Sequence, residues 1–176
     1  MDSSWKILVV DDREDNLFAM ESVLRPVGRP IVCARSGDEA LKTVLRGGIA
    51  VILLDVLMPR MDGLEVVEYL KRLDHTRSLP VILVTGIGRD DDLAARAYHL
   101  GVADFLVKPV EPWAVRSKVR VLADLYVENQ LLRRRLDSLG AAAPSLPTVP
   151  PQAHRPPWRA VRVRGDGIKG VTDDRR

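Results

Sequence analysis

Short apolar runs punctuate the first 110 residues, at 6–10, 30–34, 50–55, 80–85 and 103–107. They are rich in Val, Ile and Leu. KILVV, AVILLD and PVILVT are nearly continuous rather than alternating, the pattern of strands covered on both faces and hence of a parallel sheet. Between the runs lie stretches with helical spacing: Leu17, Met20, Val23 and Leu24; Ala40, Leu41, Val44 and Leu45; Leu64, Val67, Leu70 and Leu73; Leu93, Ala94, Ala97 and Leu100. Ser36 with Glu39 reads as a capping box opening the second helix, and Gly47, Gly48 and Gly101 stand where helices should stop. Five β–α repeats predict an α/β fold, a doubly wound five-stranded parallel sheet. Right-handed crossovers then distribute the helices over both faces.

From Glu111 the pattern changes. Pro112 suits the first turn of a helix, and no breaker follows before Gly140. Such a helix is about 42 Å long, more than a five-stranded sheet needs for cover. Its far half has a register of its own: Leu122, Leu125, Asn129, Leu132, Leu136 and Leu139 step by 3 and 4, as coiled-coil a and d positions do. The spacing predicts either a homodimer or a partner helix along 122–139, or a helix lying on its own domain. Beyond it the chain turns to Pro, Ala and Ser, and residues 141–176 are expected to be a disordered tail. The expected organisation is a domain over 1–120, a helical extension over 121–140 and that tail.

Charge sharpens this division. The net +3 of the 176-residue chain resolves into −3 over 1–110, +2 over 111–140 and +4 over 141–176. The basic character is therefore a property of the C-terminal third, and nucleic acid is not an expected partner of the whole protein. Arg155, Arg159, Arg162, Arg164, Lys169, Arg175 and Arg176, with Trp158 to stack on a base, form a candidate phosphate-tracking cluster, diluted by Asp166, Asp173 and Asp174. No stretch approaches the ~20 apolar residues of a membrane span. The acidic N-terminal region lacks a basic-then-apolar leader, so a cytoplasmic location is expected. One cysteine, Cys33, and three histidines exclude a disulfide framework and a Cys/His zinc site. Neither GxGxxG nor GxxxxGK[ST] occurs, and a metabolic enzyme is not expected.

In open parallel sheets ligands bind outside the carboxyl ends of the strands. Asp11 and Asp12 follow the first strand, Asp55 ends the third, Thr85 ends the fourth, and Lys108 follows the fifth. Three carboxylates on one edge repel unless a cation intervenes, and oxygen-only donors suit Mg²⁺. One carboxylate then serves as nucleophile toward an activated phosphoryl group, with Lys108 neutralising charge and Thr85 donating a hydrogen bond. As alternatives, the Asp11-Asp12 pair caps the first helix, and Phe105 simply fills core.

The segments ILVVDD (7–12), LLDVLMPRMDG (53–63), VILVTG (81–86) and FLVKP (105–109), in this order and at these strand ends, resemble the receiver domain of two-component response regulators, chemotaxis-regulator-like, with its flavodoxin-like fold. The resemblance covers roughly two thirds of the chain. It implies that Asp55 is the phosphoacceptor and that a sensor histidine kinase is the partner. It further implies that Asp11, Asp12, Asp55 and the Leu57 backbone carbonyl hold Mg²⁺, and that Lys108 and Thr85 bind the phosphoryl group. Thr85 and Phe105 correspond to the switch pair, and Lys108-Pro109 to the family's cis peptide. The implied protein is a phosphorylation switch acting through protein contacts, not an enzyme and without a DNA-binding output; a receiver belonging to a larger hybrid kinase or phosphatase system is the alternative. Leu57, Gly86 and Ile87 depart from the commonest pattern, and the apolar Leu57 and Ile87 predict slow loss of the phosphoryl group.

Overall fold

The computed structural model describes residues 5–86 and 91–142. The chain order is β1 (Lys6–Val10), α1 (Glu14–Leu24), a 3₁₀ turn (Arg25–Val27), β2 (Ile31–Ala34), α2 (Gly37–Leu45), β3 (Ile49–Asp55), α3 (Gly63–Arg72), β4 (Val81–Thr85), α4 (Asp91–His99), β5 (Asp104–Val107) and α5 (Pro112–Ala142). All five strands are parallel, in the order β2-β1-β3-β4-β5. The expected doubly wound sheet is thus present, with strand ends within a residue of the apolar runs. The expectations for 141–176, including the disordered tail and its basic cluster, fall almost wholly outside the described residues, as does Ile87.

Strand residues alternate between two cores. Leu8, Val10, Ile52, Leu54 and Leu83 pack with Ala40, Val44, Leu64, Val67 and Leu70, beneath α2, α3 and α4. Ile7, Val9, Val51, Leu53 and Ile82 pack with Leu17, Leu24, Val115, Val119 and Ala123, beneath α1 and α5. β3, central in the sheet, is buried over its whole length. Each Val, Leu and Ile among these side chains contributes about 1.5–3 kcal/mol on leaving water.

Local deviations from the periodicity have local causes. Leu45, expected to face inward, is 58% exposed. It ends α2 just before Gly47 and Gly48, whose φ values of 82° and 78° turn the chain away. Leu73 is exposed because it caps α3 in an extended conformation. At Ser36 only half the capping box forms: Ser36 Oγ accepts from Glu39 N, whereas the Glu39 carboxylate takes Arg35 N instead of the cap's own N–H. The complete box stands at Asp62 and Glu65, opening α3.

α5 runs through Gly140 rather than stopping there. Its first half is anchored to the domain by Val115, Val119 and Ala123, all fully buried, by Arg29–Asp124 at 2.6 Å and by Lys118–Asp104. Trp5 extends the anchorage, edge-on to Tyr126 at 5.7 Å with the Arg134 guanidinium over its ring. Among the described residues no helix is long and apolar enough to cross a membrane.

Candidate functional site

The C-terminal ends of β1, β3 and β5 deliver three side chains to one point. Asp11 is 6% exposed, and its Oδ1 accepts from Arg13 N (3.0 Å) and Asn16 Nδ2 (2.9 Å). Those bonds fix the carboxylate so that Oδ2 faces Lys108 Nζ, 3.1 Å away. The cap of α1 is Arg13, whose own side chain bonds no helix N–H, and Asp11 reaches only the N–H of that cap residue, so neither Asp11 nor Asp12 is the helix cap. Asp55 is 7% exposed; its Oδ2 accepts from Leu57 N at 2.9 Å and its Oδ1 from Lys108 Nζ at 2.6 Å. Lys108 is itself positioned by its backbone N–H, which donates to Thr85 O at 2.7 Å, and precedes a cis bond to Pro109.

One ammonium therefore bridges two buried carboxylates. A cavity of about 240 Å³ lies beside them, lined by the polar Asp11, Asn16, Asp55 and Lys108 and by apolar residues such as Met20 and Leu53. Burial in this setting raises the Asp55 carboxyl above its ordinary range, and the Asp11 charge adds to the rise; Lys108 and the Leu57 N–H pull it back only in part. Burial also works against the Lys108 charge, but the bonds to Asp55 and Asp11 outweigh it and leave the ammonium more tightly protonated than usual.

The other expected site residues are placed less closely. Asp12 is half-buried and does not share Lys108. Among the described residues no three acidic, His or Cys side chains are gathered tightly enough to hold a metal ion as they stand. Thr85 is fully buried at the end of β4, in register with Val107. Phe105 pairs with Leu83, and so lies on the same sheet face as Thr85, two residues along. It is partly buried against the core beneath α2, α3 and α4, which agrees with a packing role. Leu57 is 53% exposed beside Asp55. Sequence reasoning missed Asn16, which orients Asp11; its signal was a polar residue in the first turns of α1, with an amide long enough to reach back to the strand end.

The loop after Asp55 is held tightly. Arg60 adopts φ 70°, a left-handed conformation that costs a non-glycine residue about 1–2 kcal/mol. Gly63 N donates to Val56 O at 2.9 Å, drawing the start of α3 onto the chain that carries Asp55.

This geometry has close counterparts among known proteins. The response regulator receiver domain model matches residues 7–120. The cyclic di-GMP phosphodiesterase response regulator RpfG of Xanthomonas campestris is 34% identical over 140 residues, 78% of this chain and 37% of that protein. The transcriptional regulatory protein PrrA of Mycobacterium tuberculosis is 34% identical over 163 residues, 93% of this chain and 64% of that one. The chain thus spans less than two thirds of either relative. Among solved structures, the signal receiver domain of a histidine kinase from Syntrophus aciditrophicus is 31% identical, with a TM-score of 0.62 over 68% of this chain and 90% of its own. With the match covering the sheet, its helices and every strand end that carries the site, the chain belongs to the response regulator receiver domain family of two-component signalling.

Proposed function

We propose that Asp55 is the phosphoacceptor of this receiver and that its modification is read by protein–protein contact. The family's domains are phosphorylated by histidine kinases and bind Mg²⁺ at the phosphorylation site. The observation that carries the assignment to Asp55 is the pairing of a buried, oriented carboxylate with a cation that also holds Asp11. In the transfer, an Asp55 oxygen attacks phosphorus, the O–P bond forms as the kinase's N–P bond breaks, and the histidine leaves with the electron pair. Lys108 follows the charge onto the phosphoryl oxygens, and Thr85 is the proposed hydrogen-bond donor to one of them.

The donors fit Mg²⁺ because they are all oxygens, and two of them, Asp11 and Asp55, already share a cation. Asp11, Asp12, Asp55 and the Leu57 carbonyl would hold it, once Lys108 yields its place between the carboxylates. When bound it supplies positive charge for the transferring phosphoryl oxygens. With Thr85 and Phe105 on one sheet face, a Thr85 drawn toward the phosphoryl group opens space into which Phe105 turns, altering the surface of α4, β5 and α5.

Intact-protein mass after incubation with Mg²⁺ and a small-molecule phosphodonor tests this reading. The expected result is gain of one phosphoryl group by the wild type and none by Asp55→Asn; equal gain by both would overturn it. The lifetime of the product is a second readout. The exposed Leu57 side chain offers no hydrogen bond to an attacking water, so Leu57→Asn is expected to lose its phosphoryl group about tenfold faster, the worth of about 1.4 kcal/mol. An unchanged decay rate would remove Leu57 as the cause of a long lifetime.

A second reading places this receiver within a larger system, such as a hybrid kinase. The likeness to a histidine kinase's receiver and the partial coverage of longer regulators favour it. Relatives named for phosphodiesterase and for transcriptional functions show that one receiver type serves different outputs. The described residues contain the receiver and its long helix alone, so contact through that helix is the output we assign to them.

A further inference from the structure

We propose that the far half of α5 is a parallel, two-stranded coiled coil with a second copy of this chain, held in register by Asn129. The proposal deepens the contact-output reading, resting on it for its purpose but not for its geometry.

The domain uses one side of α5, the side of Val119, Ala123 and Tyr126. Roughly a third of a turn away runs a separate stripe. Leu125, Leu132, Leu136 and Leu139 are 52%, 50%, 67% and 68% exposed. Asn129 interrupts the leucines, its amide turned back onto Leu125 O. A row of large apolar side chains left in water over about 21 Å of helix is the sort of surface a partner covers.

The sequence around the stripe specifies which partner. Leu122, the first a position of this register, is partly buried against the domain's own core; beyond it, with Asn129 and Leu136 at a and Leu125, Leu132 and Leu139 at d, Glu128 falls at g and Arg133 at the following e. In a parallel pair, g of one helix meets the next e of the other, so Glu128 faces the second copy's Arg133, and symmetry repeats the contact. Asn129 meets its own counterpart, and each amide satisfies the other. The remaining arginines raise no objection: Arg134 lies at f, over Trp5, and Arg135 at g faces Gly140, which carries no charge. An antiparallel pair would set Asn129 against Leu132, leaving a buried amide with no partner across the seam, and would direct Glu128 to Arg135 instead.

Sedimentation of the full chain over a range of concentrations, in the unphosphorylated and phosphorylated states, is the test. Wild type is expected to pass from monomer to dimer in at least one state. Leu132→Glu with Leu136→Glu, at exposed positions where folding is not at stake, is expected to remain monomeric. Glu128→Arg and Arg133→Glu should each weaken association about tenfold, and together restore it. A wild type that is monomeric at every concentration overturns the proposal. Rescue of Glu128→Arg by Arg135→Glu, and not by Arg133→Glu, overturns the parallel arrangement. Phosphoryl uptake by the Leu132/Leu136 variant keeps the two readings apart: if it matches wild type, the receiver is intact whatever the association data say.

Discussion

A Lys108→Met variant is expected to accept a phosphoryl group about 10²–10³-fold more slowly than wild type while binding Mg²⁺ more tightly. The opposite signs follow from one position. Lys108 Nζ lies 2.6 Å from Asp55 Oδ1 and 3.1 Å from Asp11 Oδ2, so in the unphosphorylated protein it competes with any added cation for both carboxylates. Methionine keeps the length and apolar stem but removes the charge, leaving two buried carboxylates whose repulsion a bound metal ion then relieves. During transfer the same loss deprives the phosphoryl oxygens of their cation. Stability should respond too. Breaking a fully buried pair costs about 3–5 kcal/mol, and the loss here is smaller because the Lys108 side chain is 30% exposed. Added Mg²⁺ should restore much of it. The folded state holds the Lys108 proton more tightly than the ordinary 10.5, so its contribution is complete below that pH and fades as the pH rises through the folded value. The variant lacks that alkaline loss. Denaturant unfolding with and without Mg²⁺, beside phosphoryl uptake, reads all of this. Weaker Mg²⁺ binding in the variant would show that Lys108 does not compete for the site.

Much of this architecture was legible because both periodicities in the sequence are strong. Continuous apolar runs such as AVILLD leave no polar face, so strands in the middle of a covered sheet were the only economical outcome, and β3 is buried throughout. Strand ends then located Asp11, Asp55, Thr85 and Lys108 without any side-chain information. What the pattern did not carry was direction within the site. That Lys108 takes both Asp11 and Asp55 while Asp12 stands apart depends on where each carboxylate is aimed, and Asp11 is aimed by Asn16 five residues later. The complete capping box at Asp62 was hidden because its Glu65 lies on a helix whose start had been blurred by Pro59, Arg60 and Met61. The stripe on α5 was legible as a register, yet only the packing of Trp5, Tyr126 and Ala123 separates it from the side that faces the domain.

The second large effect is expected from a single methyl group. Gly63→Ala should destabilise the domain by about 1–3 kcal/mol, against the gain of up to about 1 kcal/mol that the same change gives in an ordinary helix. A Cβ at Gly63 would lie 2.4 Å from Asp55 O and 3.0 Å from Val56 Cα. Both are backbone atoms, and Val56 N is tied to Val84 O in the sheet, so neither can step aside cheaply. Gly37 offers the comparison. There a Cβ would meet Met61 Sδ and Val66 Cγ2, each at 2.7 Å, but these are side-chain atoms and the thioether is flexible. Gly37→Ala should therefore cost less. The two variants should differ in function as well. Gly63→Ala pushes α3 away from the chain that turns at Asp55, disturbing the Leu57 N–H bond that orients the carboxylate. A displacement near 1 Å at a reacting group costs about 10²-fold in rate, so phosphoryl uptake should fall more steeply than stability alone explains. Gly37→Ala leaves Asp55 in place and should take up phosphoryl at nearly the wild-type rate. Urea unfolding and phosphorylation rates on the pair decide the matter. If Gly63→Ala unfolds at the wild-type midpoint, the close approach of α3 to Asp55 is not maintained in solution, and the carboxylate is held by Lys108 and the Leu57 turn without the helix.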